Sequence, residues 1–145
     1  SNTSSAYKSF IDDYQYISEM KEKAQHAAEA EAAEEKRALL DYYKQPAKNA
    51  YVNAQKKLGK ALTGYGKIDA YFKTDLMESL SGIVAAKQME NFIEKNSDHL
   101  SEDQIRELTS EKMINKRAEQ LLQSKAIQKI ADAFISICFR NNVFK

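Results

Sequence analysis

Five glutamates, Glu22, Glu29, Glu31, Glu34 and Glu35, gather around His26. Helical bundles build di-iron centres from these side chains, using inward-facing Glu and Glu-x-x-His pairs on several helices. The spacing here does not fit that chemistry. His26 lies four residues after Glu22 and three before Glu29, which reverses the required order, and at the other histidine, His99, Asn96 stands where the glutamate belongs. No metal is expected, and the carboxylates read as a solvated helix face.

Two further groups invite a chemical reading. Gly59-Lys-Ala-Leu-Thr-Gly64 imitates the first six positions of a phosphate-binding loop, but Tyr65 and Gly66 replace the lysine and hydroxyl residue that must follow, and no strand precedes it. Cys138, the single cysteine, lies between Ile137 and Phe139, where a thiol packs as a small hydrophobe. Its activation would need a nearby base, and the two histidines are far away in sequence. With no G-x-S-x-G signature either, no catalytic residue, cofactor or small-molecule substrate is indicated, and an enzyme is not expected.

Charge offers a different chemistry. Between Pro46 and Lys73 six lysines face one acid, Asp69, a balance of +5, with Tyr51, Tyr65 and Tyr71 interleaved. Residues 1–45 hold six basic and nine acidic side chains, a balance of −3. Lys56, Lys57, Lys60, Tyr65 and Lys67 therefore form a candidate anion-binding set for nucleic acid or an acidic membrane surface. The competing reading is a wet face that pairs with the acidic first helix, and a pI near 7.7 is low for a nucleic-acid binder. A helix-turn-helix outline over Ser101–Leu108 and Glu111–Gln123 would need Lys112, Asn115, Lys116 and Arg117. It lacks a turn glycine and puts Glu111 where phosphates approach.

The elements that carry these residues are helices. The chain has four Gly and one Pro in 145 residues, and no run alternates as a half-buried strand does. From Ala6 to Gln45 there is neither glycine nor proline, which predicts one helix over about residues 6–44, on the order of 55 Å long. Its heptad seam reads Tyr7, Phe10, Tyr14, Ile17, Lys21, Ala24, Ala28, Glu31, Glu35, Ala38 and Tyr42, bulky at both ends and small, then charged, between. Gln45 and Pro46 are expected to end it, with Pro46 opening a second helix to about Leu62. A turn at Thr63–Gly66 leads to a third helix from Lys67 or Asp69 to Lys95. Ser101 with Gln104 three residues later signals a capping box for a short fourth helix, and Thr109 or Ser110 caps a fifth, broken near Ser124 and ending by Asn141 and Asn142. Its apolar residues, among them Ile127, Ile130, Ala131, Ile137 and Cys138, are expected to supply the densest core.

The expected architecture is all-α, a bundle of four to six helices in one domain over residues 6–145, with the long first helix packing at its two ends. Ser1–Ser5 is expected to be a disordered tail or a cloning remnant. A start at Ser instead of Met also leaves an exported, envelope-located mature protein open. The longest apolar stretch, Ala131–Phe139, is interrupted by Asp132 and Ser136 and too short to span a bilayer. With hydrophobic residues at 43% and charged ones at 30%, the composition is that of a soluble globular chain. The function expected from this pattern is a non-catalytic interaction or scaffold module. A protein partner or self-association would use Ala24, Ala28, Glu31, Ala32 and Glu35, since an alanine seam permits close helix approach and buried glutamates call for cations.

Overall fold

A computed structural model describes residues 2–64 and 70–140. The fold is all-α. Five α-helices run α1 (Asn2–Gly64), α2 (Ala70–Asn96), α3 (Glu102–Leu108), α4 (Glu111–Leu122) and α5 (Lys125–Arg140), with a 3₁₀ turn at Ser97–His99. The two caps read from sequence, at Ser101 and Ser110, are in place, and the break expected near Ser124 separates α4 from α5. Ser101 N–H donates to Gln104 Oε1 at 2.9 Å while Gln104 N–H donates to Ser101 Oγ at 3.2 Å, the reciprocal pair that opens α3. Ser110 Oγ accepts from Met113 N–H at the start of α4, and Ser124 Oγ accepts from Ile127 N–H at the start of α5. The expected end at Asn141 and Asn142 lies outside the described residues.

The first helix differs from expectation at both limits. α1 begins at Asn2, ahead of the start expected at about residue 6, since a polar stretch free of glycine and proline can extend a helix already nucleated downstream. At the other limit Pro46 does not break the chain: it sits inside α1, which continues to Gly64. Pro46 lacks the N–H that would bond the Tyr42 carbonyl, a loss of roughly 3 kcal/mol. Packing on either side of it offsets this. Tyr43, Ala47, Ala54 and Ala61 are all buried, and the Gln45 side-chain amide donates to Asn49 Oδ1 at 2.8 Å across the proline turn.

The chain divides into two compact units, Ser1–Leu39 and Leu40–Lys145. In the first, every described side chain from residue 3 to residue 39 is exposed except the half-buried Ile11. Within this unit Tyr7, Phe10, Tyr14 and Ile17 are 66%, 68%, 67% and 53% exposed, since a single helix has no second element to cover them.

In the second unit α2 lies at the centre, packed against α4 and α5. Three buried clusters hold it there: Ala61, Phe72, Leu76 and Ala131; Tyr43, Ile93 and Ile105; and Ala47, Ala85 and Ile114. Alanines seven residues apart on α1, Ala47, Ala54 and Ala61, present one small-residue stripe at every second turn. The core is thus shared, with α2 its main contributor, where the expected fifth helix, which the structure divides into α4 and α5, was to supply the densest part. One stripe of α5, Ile127, Ala131 and Cys138, is buried, while Ile130 and Ile137 stay 45% and 48% exposed because the described residues pack against one side of α5.

Candidate protein-interaction face

Residues 3–39 form an uncovered helix with a patterned surface. Ala24, Ala28, Glu31, Ala32 and Glu35 are all exposed. Steps of four, three, one and three residues keep them on one side of the helix. Ala28, Glu31, Ala32 and Glu35 stand at i, i+3, i+4 and i+7, the four positions that surround a single hole into which a neighbouring helix inserts a side chain. Two walls of that hole are methyl groups and two are carboxylates. Neither carboxylate makes an ion pair or hydrogen bond with another described residue, whereas Gln25 off this seam donates to Glu29 Oε1 at 3.2 Å.

The bulky residues N-terminal to the alanines extend this face. Tyr7, Phe10, Tyr14 and Ile17 lie on the same heptad seam and are exposed, as are Tyr16 and Met20 beside it. Their seam positions are legible in sequence, but bulk at heptad positions also describes a core, so only their exposure assigns them to the surface.

The lysine-rich segment is largely committed elsewhere. Lys57 is ion-paired with Glu78, Lys48 with Asp41 at 3.3 Å and Lys73 with Asp132 at 3.2 Å. Tyr51 lies under Lys87, whose Nζ is 4.5 Å from the ring centroid, so its ring face is already occupied. Of the candidate anion-binding set, Lys56 and Lys60 are exposed, and Tyr65 and Lys67 lie outside the described residues. Lys112, Asn115 and Lys116 are exposed on α4, while Arg117 Nε donates to Gln88 Oε1 at 2.8 Å.

The groups considered for reaction chemistry are placed as follows. Among the described residues no group of three or more His, Cys, Asp or Glu is placed to hold a metal ion. Gly59 lies inside α1, with no loop to cradle a phosphate. Cys138 is buried, which pushes its thiol above the ordinary 9.0 and lowers its reactivity. A groove of about 380 Å³ between α2 and α4 is lined by Met89, Phe92, Leu108, Met113, Lys116 and Arg117 among others, and its lining contains no acid, histidine or thiol. No helix among the described residues is long and apolar enough to cross a membrane. No protein-family model matches this sequence, and neither a curated protein nor a solved structure does.

Proposed function

We propose that the chain is a non-catalytic interaction or scaffold module that contacts a protein partner through its first helix. One observation carries this reading: large apolar side chains recur at heptad positions of a helical segment whose side chains are uncovered. A helix with no packed face draws its stability from propensity alone, which is marginal in water. An apolar stripe kept on such a helix fits a surface that a partner covers. The partner-facing residues are Ala24, Ala28, Glu31, Ala32 and Glu35, with Tyr14 and Ile17 as anchors.

The test is positional. A photo-cross-linking amino acid at Ala28 is expected to capture protein, and the same group at Glu19, on the opposite side of the heptad, is not. Ala28→Glu should abolish the contact reported by a cross-linker at Ala24. Equal capture at both positions, or none at either, rejects the reading. The anion-binding alternative, with Lys56, Lys57, Lys60, Tyr65 and Lys67, has the exposure of Lys56 and Lys60 in its favour and the Lys57–Glu78 pair against it. Binding to an oligonucleotide or to anionic vesicles that falls steeply with salt, and is lost when Lys56, Lys57 and Lys60 are all alanine, would favour it.

A further inference from the structure

We infer that the partner of the first helix is a second copy of the same helix, running antiparallel, with Lys21 of each copy seated between Glu31 and Glu35 of the other. The inference rests on the interaction-helix reading above and goes further by naming the occupant and its register.

The register follows from the heptad. Counting Tyr7 as position a, the a positions are Tyr7, Tyr14, Lys21, Ala28, Glu35 and Tyr42, and the d positions are Phe10, Ile17, Ala24, Glu31 and Ala38. Lys21 is the one cation among them, and Glu31 and Glu35 are the acids. In a parallel in-register pair each residue meets its own copy, so Lys21 would face Lys21 and both glutamates would face themselves. Three like-charge layers in one seam are strongly unfavourable.

In an antiparallel pair, a positions of one helix layer against d positions of the other. Lys21 then requires an acidic d residue, and Glu31 is the only one available. That choice sets every other layer: Ala24 meets Ala28, Ile17 meets Glu35, Tyr14 meets Ala38 and Phe10 meets Tyr42. Two kinds of complementarity result from one charge choice. The alanines meet at the dyad, where Ala27 also faces its own copy and permits close approach. The largest ring of this stretch, Tyr14, meets the small Ala38. At the flank, the half-buried Ile11 comes beside the exposed Leu39. The hole bounded by Ala28, Glu31, Ala32 and Glu35 receives the Lys21 side chain, whose ammonium meets the two carboxylates while its methylenes lie on the two alanines. Lys21, Glu31 and Glu35 are all exposed and unpaired within their own chain among the described residues.

The experiment is sedimentation equilibrium on the full chain over micromolar to millimolar concentration, with charge inversions at exposed positions that leave residues 40–140 untouched. A dimer is expected. Lys21→Glu, and separately the pair Glu31→Lys with Glu35→Lys, should each raise its dissociation constant by at least ~10-fold. Combining all three substitutions should bring the dimer back, because the inverted charges again oppose one another across the antiparallel seam. In a parallel pair the triple variant would gain nothing over either parent variant, and that result overturns the proposal. So does a chain that stays monomeric throughout. A monomer that still cross-links a different protein from Ala28 removes the second copy as occupant and leaves the interaction helix standing, whereas a monomer that cross-links nothing there removes both.

Discussion

Gly82 of α2 lies so close to Ala54 of α1 that a Cβ added at Gly82 would stand 3.1 Å from the Ala54 Cβ. Ala54 is 8% exposed and is attached directly to helix backbone, so no flexible side chain can yield. Gly82→Leu is expected to destabilise by about 1–3 kcal/mol through overpacking. Gly82→Ala should nearly cancel, since the helix gains about 1 kcal/mol from alanine and spends a similar amount on the contact. Urea unfolding of both variants, repeated in an Ala54→Gly background, checks this. Gly82→Ala should be more favourable there, and strict additivity would contradict the contact.

One residue earlier, Ser81 is fully buried and its Oγ has no hydrogen-bond partner among the described residues. Other buried hydroxyls are satisfied: Ser79 Oγ donates to the Asp75 carbonyl at 2.7 Å and Thr109 Oγ1 to the Ile105 carbonyl at 2.6 Å. Ser81→Ala should therefore raise stability by about 1 kcal/mol, from a relieved polar burial and a better helix former. Ser79→Ala should not stabilise. Thermal melts of the two variants side by side give the comparison, and a destabilised Ser81→Ala would point to a hydroxyl that is in fact engaged.

Pro46 inside α1 leaves the Tyr42 carbonyl without its helical donor. Replacing it with alanine restores the N–H and removes the ring. Pro46→Ala is expected to stabilise the protein by about 1–3 kcal/mol, visible as a higher denaturation midpoint with an unchanged denaturant slope. A loss of stability would mean that Pro46, half-buried beside Ala47, is held by its packing more than it disturbs the backbone.

Tyr43 links α1 to α3 through an ionisable group. Burial raises its phenol above the ordinary 10.0, and the negative charge of Glu102 adds to the rise. A raised folded-state value means that this contribution is fully present below the unfolded-state value and is lost as pH rises through the folded one. Stability should fall on the alkaline side of pH 10.0 more steeply for the parent than for Tyr43→Phe. Parallel alkaline titrations by circular dichroism measure it, and identical slopes would remove Tyr43 from the account.

The amino-acid order alone determined helicity, the capped starts of α3 and α4, the break near Ser124, and the heptad seam of the first helix. These depend on groups three to seven residues apart: Ser101 and Gln104 satisfy each other's backbone amides whatever surrounds them, and a seam is a matter of angular spacing. Tertiary structure decided whether Pro46 would stop α1, because burial of Tyr43, Ala47 and Ala54 against distant residues outweighs a local penalty. It also decided that α2 rather than α5 would be central, and that Lys57 would be tied to Glu78, twenty-one residues away. Each outcome depends on which remote side chains arrive as neighbours, and burial and ion pairing act between groups in space, where sequence spacing carries no information.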